Sequence, residues 1–140
     1  MRASGARPIL GIIVTHDQLG DELLRTAESI LGPQERIVVK SNRGHSHKAL
    51  IGEVNSLIDQ LAGKEEPVVL FADLHGGSCG HACSAAAASN GRVLVACGVN
   101  LPMLLEFLFH RGRVGLSELK SRMVCKGRQE IRCSGWDNEA

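Results

Sequence analysis

The sequence contains no tyrosine, one tryptophan and three phenylalanines in 140 residues. So few aromatics leave no platform on which bases could stack. A formal net charge of +1 offers no basic field for a phosphate backbone. Both features argue against a nucleic-acid partner. No apolar run is long enough to span a bilayer, which argues against direct membrane insertion. Residues 1–8 carry Arg2 and Arg7 but lead into only about six apolar residues, with no small-residue cleavage site after them. That is too short for the core of a secretory leader, and a cytoplasmic location is expected. Five cysteines make an odd set, so free thiols are expected rather than disulfides. There is also no linker, repeat or composition shift. Residues 1–140 read as a single domain, with 1–8 a loose N-terminal arm and 134–140 a polar tail.

What the chain does have is alternation. Ile9–Val14 is a short apolar run, the signature of a strand buried on both faces. Leu19, Leu23, Leu24, Ala27, Ile30 and Leu31 then recur at helical spacing, and Gly32-Pro33 ends that helix. Asp17 is placed to cap it. Arg36–Ser41 is a second strand. Ser46 caps a second helix whose stripe is Leu50, Ile51, Val54, Leu57, Ile58 and Leu61. Pro67–Leu74 is a third strand, followed by a glycine turn and an alanine-rich helix over Ala82–Ala88. Arg92–Gly98 is a fourth strand, and Pro102 opens an apolar helix through Phe109. Leu116, Leu119, Met123 and Val124 mark a last helix. A weak β pattern at Glu130–Cys133 predicts an extra C-terminal edge strand. Regular alternation predicts an α/β fold: a doubly wound, mainly parallel four-stranded sheet with helices on both faces.

In such a sheet, ligands bind beyond the carboxyl ends of the strands. Three loops meet there: Thr15-His16-Asp17, Asp73 to Ser78, and Gly98 to Pro102. If the first and third strands are neighbours, His16 and Asp73 lie side by side. A carboxylate that accepts the Nδ1 proton of a histidine fixes its tautomer and leaves the Nε2 lone pair facing out. That is the state a nucleophilic histidine requires. Gly76-Gly77-Ser78 opens a helix, and backbone N–H groups at a helix start favour an anion. Together these residues predict a histidine that carries a phosphoryl group. Thr15, Asp17, His75, Asn100 and Pro102 are expected to line the site or a partner surface.

These motifs reach a known family. The chain resembles the IIA domain of the mannose family of the bacterial phosphoenolpyruvate-dependent sugar phosphotransferase system over about residues 9–125. The matching segments are Ile12-Ile13-Val14-Thr15-His16, Leu23 to Glu28, Asp73-Leu74-His75-Gly76-Gly77-Ser78, and Gly98-Val99-Asn100-Leu101-Pro102-Met103-Leu104. The resemblance implies that His16 accepts a phosphoryl group on Nε2 from the phosphocarrier HPr and passes it to a IIB domain. It implies that Asp73 orients His16, that Gly76, Gly77 and Ser78 hold the phosphate, and that the protein is a homodimer without a cofactor. The chain departs from the family where Asp17 follows the histidine in place of the usual glycine. It departs again where His75 replaces an aromatic or apolar residue, and where Ser78-Cys79-Gly80-His81-Ala82-Cys83 replaces Ser-Pro-Phe-Asn-Ala-Ala.

Two alternatives to the sugar-transport carrier stay open. The fold can serve as a regulatory binding module, with or without phosphorylation. Cys79, His81 and Cys83 can form a metal or thiol sensor, although their spacing fits no familiar zinc pattern and no metal is expected. Cys97 and Cys125 are expected in the core, and Arg111, Gly112 and Arg113 on the surface.

Overall fold

β1 (Leu10–Thr15) is six residues long, and all six are buried. Four of them are β-branched, which favours the pleated conformation. β2 (Ile37–Ser41), β3 (Val68–Ala72) and β4 (Val93–Cys97) follow, joined by α1 (Leu19–Leu31), α2 (His47–Leu61) and α3 (Ser78–Ala88). α4 (Leu101–His110) and α5 (Leu116–Gln129) complete the chain. The computed structural model describes residues 7–136. All strand pairs are parallel, in the order β2-β1-β3-β4. The inner strands β1 and β3 are buried throughout, while β4 at the edge is half-buried.

Alternate residues of each strand serve opposite faces. Leu10, Ile12, Val14, Val68, Leu70 and Ala72 pack against Leu50, Val54 and Ile58 of α2 and Cys79, Ala82, Cys83 and Ala86 of α3. Ile13, Val69 and Phe71 pack against Ala27 of α1, Leu104 and Phe107 of α4, and Leu119 and Met123 of α5. Phe71 and Phe107 meet edge to face at 5.0 Å. The small residues of α3 let it lie close to the sheet. A Cβ on Gly80 would stand 2.3 Å from the Leu74 carbonyl oxygen and 2.5 Å from that of His75.

The chain departs from the sequence pattern in several places. Leu19 and Ile30 are 47% and 57% exposed, so the buried stripe of α1 is centred on Gly20 and Ala27 instead. The alanine-rich helix begins at Ser78, where the glycine turn is expected to open it. α5 runs on to Gln129, and residues 130–133 form a turn and irregular backbone, so the extra edge strand is not formed. Cys125 is exposed rather than core, because the buried stripe of α5 runs through Leu119, Met123 and Gly127. Arg111 is buried rather than superficial. Residues 1–6 of the expected arm and 137–140 of the expected tail lie outside the described residues. No described helix is long and apolar enough to cross a membrane.

Candidate functional site

The strand order reverses between β1 and β3. β1 connects outward to β2, and the chain then returns past β1 to form β3. This is the switch point where the carboxyl ends of an open α/β sheet leave a crevice. Register pairs Val14 with Ala72, so the residues just beyond, His16 and Asp73, emerge next to each other.

The turn after β1 is tightly specified. Thr15 is fully buried, and its Oγ1 accepts the Gly20 N–H at 2.7 Å. Thr15, not Asp17, therefore caps the start of α1. A Cβ on Gly20 would stand 2.9 Å from that oxygen and 2.7 Å from Val39 Cγ1. Asp17 has a φ of +48°, the left-handed region that glycine adopts freely and aspartate tolerates. The Asp17 N–H donates to Asn42 Oδ1 at 3.1 Å, and its carboxylate pairs with Arg43 at 2.9 Å. Asp17 is exposed, and its negative charge is directed to that guanidinium.

Asp73 holds His16 at two points through one oxygen. Its Oδ2 accepts the His16 backbone N–H at 3.0 Å and lies 2.9 Å from His16 Nδ1. The other oxygen accepts the Leu74 N–H at 3.0 Å. Burial pushes the Asp73 carboxyl up. The His16 backbone N–H, its ring and its charge outweigh that effect, and the carboxyl is held below its ordinary range. The ionised Asp73 draws the ring proton to Nδ1, so Nε2 carries the lone pair. The His16 side chain is 41% exposed and that of Asp73 only 9%, so the imidazole is the accessible end of the pair.

The two glycines of the turn are not equivalent. A Cβ on Gly77 would lie 3.1 Å from His16 Cε1 and 3.7 Å from Nε2. Gly76 has open space at that position. Gly77 is the residue before α3, so the helix starts against the imidazole. The first N–H groups of a helix have no partner within it, and its N-terminus carries partial positive charge. Ser78 opens α3, half-buried, and His75 and Gly76 are exposed beside it. The structure thus brings His16 against Asp73 and Gly77, with Ser78 next in the chain.

Asn100 and Pro102 sit beyond β4, the far neighbour of β3. Asn100 is occupied structurally: its Oδ1 accepts the Met103 N–H at 3.0 Å, and its Nδ2 donates to the Gly127 carbonyl at 3.2 Å. The Cys79, His81 and Cys83 set does not converge. Cys79 and Cys83 are fully buried, whereas His81 is exposed and faces His47. The grouping that does converge joins Cys79 to His16, one of the two histidines expected near the cysteines, and adds Asp73, which that expectation did not include. Single donor atoms of His16, Asp73 and Cys79 lie within 4.8 Å of one another. The position of Cys79, two residues after a glycine that touches the histidine, was the available signal.

Comparison with known proteins agrees with this geometry. The family described as "PTS system fructose IIA component" matches residues 11–124. The chain belongs to the phosphotransferase-system IIA family. This IIA chain is 32% identical over 123 residues to the mannose-specific EIIAB component of Escherichia coli K12, covering 86% of this chain and 38% of that protein. It thus spans well under half of that curated relative. It is 26% identical over 125 residues to the fructose-specific EIIA component of Bacillus subtilis, covering 88% of this chain and 85% of that one. The crystal structure of a phosphotransferase-system EIIA component from Streptococcus agalactiae superposes with a TM-score of 0.81 at 25% identity, over 89% of this chain and 96% of that chain. The mannose/sorbose-specific IIA subunit from Enterococcus faecalis shares the fold, with a TM-score of 0.80 at 18% identity over 96% of this chain and 100% of that one.

Proposed function

We infer that this IIA domain is a phosphoryl carrier that accepts phosphate from an HPr-type protein on His16 Nε2 and passes it to a IIB domain. The observation that carries the reading is the His16–Asp73 pair: one carboxylate oxygen fixes both the backbone and the ring of a half-exposed imidazole. In the transfer, the Nε2 lone pair attacks phosphorus, the bond to the donor histidine breaks, and the donor keeps that electron pair. Asp73 stabilises the positive charge that develops on the ring. The start of α3 at Gly77 and Ser78 supplies N–H groups, and the Ser78 hydroxyl, to the phosphoryl oxygens. Family membership supports this role, as does the glycine against the imidazole.

Leu19 and Leu74 beside the pair are 47% and 59% exposed, an apolar rim suited to a protein partner rather than to a free sugar. A homodimer belongs to the same reading. Beyond α5, Ile131 is 76% exposed and Trp136 is 88% exposed, giving a second copy apolar surface to cover.

The test is labelling with phosphoenolpyruvate, enzyme I and HPr. The expected result is acid-labile label on the native chain and none on His16→Ala. Label that survives His16→Ala would overturn the assignment. A chain that takes no label from HPr of several sources would point to the binding-module alternative.

A further inference from the structure

We propose that His16, Asp73 and Cys79 form a zinc site whose occupation switches the phosphoacceptor off. The inference rests on the carrier reading for its consequence but not for the site itself. Its basis is the convergence of one imidazole, one carboxylate and one thiol, with a donor atom of each within 4.8 Å of the others. These are the three ligand types zinc takes, and thiolate with imidazole selects zinc over magnesium or calcium. Tetrahedral bonds of roughly 2.0–2.3 Å set donor atoms about 3.3–3.8 Å apart, so the His16–Asp73 pair, now at 2.9 Å, has to open slightly, and donors as far as 4.8 Å apart have to close by roughly an ångström. Three protein ligands leave a fourth position open to solvent, as in reactive rather than structural zinc sites. Exposure is graded for such an ion: the His16 side chain is 41% exposed, that of Asp73 is 9%, and Cys79 lies at the floor. The metal therefore enters from the imidazole side.

The inhibition follows from the tautomer. Nδ1 is the ring nitrogen that faces Asp73, and it takes the metal. A neutral imidazole keeps one N–H, so the proton displaced from Nδ1 is matched by one taken up on Nε2. Nε2 then has no lone pair to offer phosphorus. The Cys79 thiol gives its proton to solvent, Asp73 is already ionised, and one proton is released per zinc bound. The same carboxylate that prepares Nε2 for phosphate, by holding a proton on Nδ1, helps disable it when a zinc ion replaces that proton.

Cobalt(II) titration of the full chain tests the site without any phosphoryl transfer. The expected result is one equivalent bound, with a thiolate-to-cobalt charge-transfer band that zinc abolishes by displacement. The band should be missing in Cys79→Ser and in Cys79→Ala, two variants of which either suffices if the other folds poorly. In the HPr assay, saturating zinc should slow label uptake by the native chain at least tenfold, and a chelator should restore it. Cys79→Ser should change less than twofold with zinc. A missing band overturns the proposal, as does a band that persists in both Cys79 variants, which would trace it to exposed Cys125 or Cys133. Full band intensity with zinc-insensitive labelling also overturns it. If metal-free chain takes no label from HPr, the carrier reading fails, while the cobalt band still decides the site.

Discussion

The two ends of the sheet use charge in opposite ways. At the carboxyl ends, His16 and Asp73 form a small open group with the imidazole half-exposed and one face toward a glycine. At the amino ends, guanidinium groups are engaged mainly by carbonyl oxygens. Arg111 is 4% exposed and donates to the carbonyls of Ile9 at 3.1 Å, Arg36 at 2.8 Å and Glu35, and its guanidinium lies 5.5 Å from the centre of the Phe107 ring. Arg36 donates to the Pro8 carbonyl at 2.9 Å, to that of Leu61 at 3.1 Å and to Glu66 at 2.7 Å. Arg92 reaches the carbonyls of Gly63 and Glu66. Parallel strands begin at one edge and end at the other, so both edges collect polar groups. What separates them is satisfaction. A guanidinium with its donors engaged has nothing left to react with and locks the frame. An imidazole held through one nitrogen keeps the other available.

That contrast predicts separable failures. Arg111→Ala would remove a buried guanidinium from the part-buried carbonyls of Ile9, Arg36 and Glu35 and from the Phe107 ring, and a loss of about 3 kcal/mol in unfolding free energy is expected. Denaturant titration measures it, and labelling of the remaining folded chain should be close to native. A large activity loss with native stability would break the division between the two ends. Asp73→Asn is the converse. An amide can present its NH₂ to Nδ1, which favours the ring proton on Nε2. Label uptake should fall about 10²-fold, with a smaller change in stability. Gly77→Ala should slow transfer about tenfold, because its Cβ would press within 3.1 Å of His16 Cε1 where the phosphoryl group must pass. The φ of Gly77 is −89°, so the fold itself should accept alanine.

A further effect concerns pH and vanishes near neutrality. Burial pushes the Cys79 thiol up to about 11 and the Cys83 thiol up to about 12. An unfolded chain ionises its thiols near 9, where the folded chain keeps them protonated, so the folded state binds more protons above that point. Stability should therefore fall as pH rises from about 9 towards 12, and Cys79→Ala/Cys83→Ala should flatten the slope. Native chain at pH 8 should yield its exposed thiols, Cys125 and Cys133, to a thiol reagent well before Cys79 and Cys83.

Most of the frame was legible because its signals are local. Apolar runs that stop at a polar residue mark strand ends, and Ser46 caps its helix from within the same turn. The His16–Asp73 pairing was legible because alternation dictates topology, and topology places the ends of neighbouring strands together. The misreadings have physical sources. Asp17 suits both a helix cap and a left-handed φ, and the hydroxyl of Thr15 had taken the first role. Nothing near Arg111 in the sequence distinguishes a solvated arginine from one whose partners lie 75 to 102 residues away. Cys79 reads locally as a small helix residue. Its closeness to Asp73 arises from the turn that Gly80 permits, where any side chain would collide with two carbonyls.

The Arg111 clasp also bears on how the chain is made. Its link to Ile9 spans 102 residues, nearly the whole polypeptide. During vectorial synthesis, β1 leaves the ribosome about a hundred residues before the guanidinium that latches its base. A nascent chain stalled before residue 111 would display β1 unsecured at its base.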